Sequence, residues 1–266
     1  MKKAIRFSLI IFLSYVAFCI FVFLNQKNLL FFPFKWVFVI PKVANLEEVY
    51  IKTEDRVKLN AWYFDNKSNK TIIFFHGNWG NIFFNRERIK IFNELKINAI
   101  MPDYRWYGRS WGEILSEQDL EKDANAVYQY VLNKWTKSEN IIIWGQSFGG
   151  AVAIDLAKNK NIKALVVESA FYSVDEMASI QFPYLPVKFL LKFHFRNDEK
   201  ISKIHVPVLI IHSIRDEIIN FSNSEKLFSL ANNPKFFLKT NGTHNGGFSN
   251  SFDLYVSTFR DFLKLK

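Results

Sequence analysis

Cysteine is nearly absent from this sequence. Cys19 stands alone among 266 residues, which excludes an intramolecular disulfide framework and any metal site built on cysteine. Proline and glycine are also sparse, at 7 and 10 residues, and no Pro/Gly/Ser-rich stretch marks a linker between domains. No long single-sign charge run interrupts the chain, and no repeat occurs at solenoid periods. Lys and Arg outnumber Asp and Glu by 35 to 25, but the two signs are interleaved. A generally basic surface with some attraction to anionic lipid is therefore expected, and not a nucleic-acid-binding stripe. The length fits one larger α/β domain or two small ones.

Apolar side chains are what the sequence has in quantity. They make up 49% of the chain, with 29 Phe, enough for a sizeable core in which aromatics carry much of the buried area. Residues 7–24 hold no charged residue and are dominated by Leu, Ile, Phe and Val, about the 18 to 20 residues that a membrane-spanning helix needs. Lys2, Lys3 and Arg6 precede the run. A cleaved signal peptide is the rival reading, but no small-x-small site lies near Leu24, and Phe18 before Cys19 spoils a lipoprotein box. The expectation is an uncleaved anchor over residues 1–27 and a juxtamembrane connector over 28–47. The folded domain then covers 48–266. Lys27, Lys35 and Lys42 follow the span, so the positive-inside bias is slight; it favours a cytoplasmic N-terminus with the domain on the other side.

Beyond the connector, residues 48–52 and 57–64 read as an antiparallel start to a sheet around the polar turn 53–56. From residue 70 onward, short apolar runs (71–75, 97–101, 140–144, 164–167, 208–211, 235–238) alternate with helical stretches (84–95, 117–132, 147–158, 252–263). That rhythm implies a mostly parallel sheet covered on both faces, with its active site at the carboxyl ends of the strands. Residues 171–204 break the rhythm with Pro183, Pro186 and the apolar Val187-Lys188-Phe189-Leu190-Leu191. The segment reads either as a small cap over the site or as a long crossover.

The chemistry-bearing motif is Gly145-Gln146-Ser147-Phe148-Gly149, set between the apolar run ending at Trp144 and the helical stretch from Ala151. A G-x-S-x-G turn between strand and helix lifts a serine hydroxyl above the strand ends, where free helix N–H groups converge. Nucleophilic serine chemistry also needs a base, and an acid to orient it. Asp216 lies just past strand 208–211 and His244 past strand 235–238, each in a turn-rich loop. The order Ser147, Asp216, His244 differs from both common serine-protease orders. Glu217 is the nearby substitute for Asp216, and His212 reads as structural. An oxyanion needs two backbone donors: the N–H of Phe148 is one, and the loop His76-Gly77-Asn78 offers Asn78 as the second, with Trp79 as alternate. No metal or organic cofactor is needed.

With these residues in place, the chain resembles the α/β-hydrolase superfamily, and within it the membrane-anchored hydrolase-domain proteins. The matching pieces are His76-Gly77-Asn78 with Gly80-Asn81, Pro102-Asp103-Tyr104-Arg105 with Tyr107-Gly108-Arg109-Ser110, the serine turn, Asp216, and Gly242 with His244. Trp106 departs from the small residue usual there, and Asn245-Gly246 from the usual Asn-Asp. The resemblance implies an α/β-hydrolase fold and a serine hydrolase acting on an ester or thioester, with lipid or acyl substrates favoured. The alternatives are a peptidase of the same fold and a catalytically inactive, membrane-tethered interaction protein. The lipid bilayer and a small acyl substrate are the expected partners, and nucleic acid is not.

Overall fold

The computed structural model describes residues 1–37, 39–134 and 136–265. Its first element, α1 (Lys2–Leu30), is a continuous helix, as expected of a stretch with neither proline nor glycine to break it. It is long and apolar enough to cross a membrane. Phe31 ends it in an extended conformation, and the next residues form the short strand β1 (Phe32–Pro33).

The main sheet begins with β2 (Leu46–Lys52) and β3 (Lys58–Phe64), then β4 (Thr71–Phe75). A two-residue strand, β5 (Trp79–Gly80), leaves the sheet to pair in parallel with β1. The helix expected over 84–95 divides into a 3-10 stretch, Ile82–Arg88, and α2 (Ile89–Leu95). Its start is tightened because the Asn81 side chain accepts the Phe83 N–H at 3.0 Å, while the Asp103 carboxylate takes the Ile82 N–H at 2.8 Å. There follow β6 (Asn98–Pro102), α3 (Glu117–Asn133), β7 (Ile141–Gln146), α4 (Phe148–Ala157) and β8 (Ala164–Glu168).

The segment expected as cap or crossover holds three short helices: α5 (Val174–Gln181), α6 (Val187–Leu190) and α7 (Asn197–Lys200). The chain closes with β9 (Val208–Ser213), α8 (Ser222–Leu230), β10 (Lys235–Thr240), α9 (Gly247–Asn250) and α10 (Phe252–Leu263).

Strand order in the main sheet is β10-β9-β8-β7-β4-β6-β3-β2. The pairs β2–β3 and β3–β6 are antiparallel and the others parallel. A strand's period of two divides the core into two layers. Ile73, Phe75, Ile141, Ile143, Leu165 and Val167 face one layer with Val127 of α3 and Ile154 of α4. Ile72, Phe74, Ile142, Trp144, Ala164 and Val166 face the other with Phe92 of α2 and Phe259 of α10. In α3 the buried positions Leu120, Asp123, Ala124, Val127, Tyr128 and Val131 repeat at helical spacing, and a capping box from Ser116 and Asp119 sets its start. This is the mostly parallel, doubly covered sheet that the alternating pattern implies. The parallel strands β4, β6, β7, β8, β9 and β10 therefore deliver their following loops to one end of it.

Candidate active site

Ser147 sits where β7 turns into α4, with φ 53 and ψ -120. A positive φ at a non-glycine residue is strained, and here close packing enforces it. A Cβ on Gly145 would fall 2.1 Å from the Gly149 carbonyl oxygen, and one on Gly149 would fall 2.1 Å from the Phe75 oxygen. Glycine is thus required on both sides of the serine because three backbones meet there. The Ser147 N–H donates to the Glu168 carbonyl at 2.7 Å, tying the turn to the neighbouring strand.

Facing the serine is the loop after β4. A Cβ on Gly77 would lie 4.0 Å from Ser147 Oγ, so the Gly77 backbone lies beside the serine side chain. Phe148 opens α4, and a first-turn N–H has no acceptor within its own helix. Tyr104 and Tyr107 steady the loop, each donating its hydroxyl at 2.7 Å, to the carbonyls of His76 and Asn78 respectively. Asp103 holds the Ile82 N–H, and a Cβ on Gly108 would fall 2.0 Å from its other oxygen. The Asp103-Tyr104 motif therefore acts on the loop's shape.

Asp216 and His244, from the loops after β9 and β10, meet: His244 Nδ1 lies 2.7 Å from Asp216 Oδ2. The other Asp216 oxygen accepts the N–H groups of Ile218 at 3.0 Å and Ile219 at 2.8 Å. His212, buried near the end of β9, brings its Nε2 within 3.1 Å of Oδ2. Burial pushes this carboxyl's pKa up, but the bonds from His212, His244 and the Ile219 N–H outweigh it and hold the group well below its ordinary range. Glu217 takes a different place from Asp216: its carboxylate accepts the His244 backbone N–H at 2.9 Å and so anchors the loop. Ser147 and His244 are both buried. Among the described residues no hydrogen bond joins them.

Several supports were not visible in the sequence. Arg88, buried, donates two hydrogen bonds to the Glu168 carboxylate, at 3.0 and 2.9 Å. Trp144 Nε1 and the Tyr255 hydroxyl, each at 2.9 Å, complete the Glu168 carboxylate. The residue whose backbone holds the Ser147 N–H is thus itself pinned by three side chains. A second support comes from α1. Phe31 is buried edge-on against Phe148 at 5.3 Å and against Phe193 at 5.3 Å. The Asn78 side chain donates to the Leu30 carbonyl at 2.9 Å, while the Phe32 N–H donates to the Asn78 carbonyl at 3.0 Å. Trp106, the departure noted in the sequence, carries a positive φ of 74 and places its ring 5.3 Å from the Lys27 ammonium.

Comparison with known proteins agrees with this architecture. A family model described as serine aminopeptidase, S33, matches residues 66–197. The protein bem46 of Schizosaccharomyces pombe is 33% identical over 240 residues, covering 84% of this chain and 79% of that protein. An α/β hydrolase domain-containing protein of Arabidopsis thaliana, WAV2, is 29% identical over 252 residues, covering 85% and 82%. Among solved structures, an esterase of Pyrococcus furiosus superimposes with a TM-score of 0.74 at 24% identity, covering 88% of this chain and 97% of that one; at that identity the likeness is one of fold. The fold, together with these relatives, defines the class as a hydrolase of the α/β kind. The chain belongs to the α/β-hydrolase superfamily.

Proposed function

We propose that this protein is a membrane-anchored serine hydrolase that cleaves ester or thioester bonds through an acyl-enzyme on Ser147. The observation that carries the reading is the strand-end constellation: a strained serine beside the Gly77 loop, and an Asp216–His244 pair at 2.7 Å delivered by later strands. Ser147 Oγ attacks the substrate carbonyl carbon as His244 takes its proton through the ring nitrogen not bonded to Asp216. Asp216 stays ionised and holds the imidazolium. The oxyanion is met by the N–H groups of Phe148 and Asn78. His244 then gives the proton to the departing alcohol or thiol. Water repeats the cycle on the acyl-enzyme, releasing the acid and restoring Ser147. Every atom and proton in this scheme is supplied by substrate, water and these side chains.

Retention of α1 as an anchor is supported by its docking: Gln26 and Phe31 are both buried, and β1 pairs with the loop that follows Asn78. A segment removed after folding would leave Phe148 and Asn78 without these partners. The acyl preference is supported by the aromatic cluster of Phe31, Phe148, Phe193 and Phe195, which reaches Ser147 through its chain neighbour Phe148, and by placement next to lipid. We place the domain on the non-cytoplasmic side, by the bias of Lys2, Lys3 and Arg6. Protease protection of the domain in intact spheroplasts would contradict that side.

The test is hydrolysis of p-nitrophenyl esters of graded chain length by the full-length protein, with Ser147→Ala as control. Turnover that the substitution abolishes, and that prefers longer acyl chains, is expected. Turnover confined to the shortest esters would count against a lipid substrate. The matched family description favours one second reading, a peptidase. Cleavage of aminoacyl p-nitroanilides faster than esters would select it.

A further inference from the structure

The segment between α5 and α7 does more than cross the sheet. Its middle, residues 182–192, lies along α1. The Tyr15 hydroxyl donates to the Tyr184 carbonyl at 2.8 Å. Gln26 donates its amide to the Leu190 carbonyl and accepts the Lys192 N–H at 2.8 Å. The Lys192 ammonium sits 4.0 Å from the Phe23 ring centroid. These contacts fix the depth of the segment relative to the helix. Gln26, Lys27 and Lys192 form a polar level, where Lys27 also pairs with Glu113 at 2.6 Å. From Leu24 back to Tyr15 is about 14 Å at 1.5 Å per residue, against a hydrocarbon half-thickness of about 15 Å. If α1 spans the bilayer, Tyr184 therefore lies near its middle.

The surface of the segment suits that depth. Between Glu176 and Lys192 the only charged residue is Lys188, whose long stem can carry its ammonium back to the polar level. Ile180, Tyr184 and Phe189 are 73%, 61% and 82% exposed, which is costly for such side chains in water and favourable in lipid. The backbone suits it too. Irregular chain in hydrocarbon must satisfy its own polar groups, and here Phe182, Leu185, Val187, Phe189 and Leu191 each donate their N–H to a nearby carbonyl. Pro183 and Pro186 have no N–H to satisfy. The segment ends at Phe193 and Phe195, and Phe195 packs edge-on at 5.1 Å against Phe148, the residue after the nucleophile.

We propose that residues 182–191 form a re-entrant arm that enters the bilayer beside α1. The occupant of this apolar surface is lipid, continuous with the lipid around α1; the inference rests on the reading of α1 as a membrane span. The arm sets the depth of the domain against the bilayer and contributes no catalytic group.

Site-directed nitroxide labelling tests it on the full-length protein in phosphatidylcholine–phosphatidylglycerol vesicles. In a Cys19→Ser background, Phe182→Cys and Phe189→Cys report on the arm, Leu13→Cys on the span, and Glu139→Cys, exposed at the far end of the sheet, on water. Retained turnover of a short-chain ester shows that each labelled variant is folded, and two arm positions guard against loss of one. The expected result is an oxygen-to-nickel-chelate accessibility ratio at both arm positions several-fold above that at Glu139 and approaching that at Leu13. Arm labels that match Glu139 while Leu13 is lipid-exposed would overturn the arm and leave the anchor standing. A Leu13 label as water-accessible as Glu139 would overturn the span, and the arm with it.

Discussion

The strand-end loops and the long apolar helix α1 meet at Phe31 and Phe148, and they are held by different forces. Around Ser147 the fit is between backbones: carbonyls of Phe75 and Gly149 occupy the space that side chains at Gly149 and Gly145 would need. Along α1 the fit is between side chains, with Phe31 in an aromatic cluster and Gln26 and Tyr15 bonded to carbonyls of the 182–191 segment. Backbone packing tolerates no added atom, whereas side-chain packing yields in proportion to what is removed. The first arrangement fixes a reaction geometry; the second ties that geometry to α1.

Substitutions that separate the two regions should differ in size and in readout. His244→Ala should lower kcat for ester hydrolysis by about four to six orders of magnitude, with membrane association unchanged; retention of more than a hundredth of wild-type turnover would remove His244 as the base. Gly149→Ala drives a Cβ into the Phe75 carbonyl and should cost about 3 kcal/mol or more of stability; an unchanged denaturation midpoint would contradict the packing at the elbow. Phe31→Ala opens a cavity against Phe148 and should cost about 3 kcal/mol, with a fall in turnover and continued sedimentation with membranes. Turnover unaffected by that change would show that the anchor's end does not position the site.

Asp216 gives a pH-dependent prediction. Its pKa is depressed in the folded state, so its charge contributes stability above the unfolded carboxyl value, about 3.9, and that contribution is lost as pH falls below it. The stability difference between wild type and Asp216→Asn, measured by chemical denaturation, should therefore be constant near neutrality and shrink below about pH 4. A difference that shrinks between pH 8 and pH 6 would point to another group. The smallest effect is expected for Asn78→Ala. It removes one bond to the Leu30 carbonyl, about 1 kcal/mol, but keeps the backbone N–H proposed for the oxyanion, so turnover should fall far less than for His244→Ala.

Much of this was legible in the sequence, for a physical reason. Short apolar runs alternating with helices permit few sheet topologies, and the glycines of Gly145-Gln146-Ser147-Phe148-Gly149 are dictated by local backbone contact. What the sequence did not reveal depends on contacts between distant residues. The β1–β5 pairing, the Arg88–Glu168 bridge and the Tyr15–Tyr184 bond join positions with no shared local pattern. His212 read as structural from its place at a strand end, but the Asp216 carboxylate serves it as well as His244. The 3-10 start at Ile82–Arg88 was hidden because Asp103, which takes the Ile82 N–H, comes from the next strand's end.

The central claim is that Ser147 is a nucleophile activated by its surroundings. Incubating the full-length protein with a fluorophosphonate and mapping the adduct by peptide mass spectrometry tests it most directly. Stoichiometric modification of Ser147, abolished by prior denaturation and greatly slowed in His244→Ala, is the predicted result. A folded protein that remains unmodified, or that is modified equally in Ser147→Ala, would contradict it.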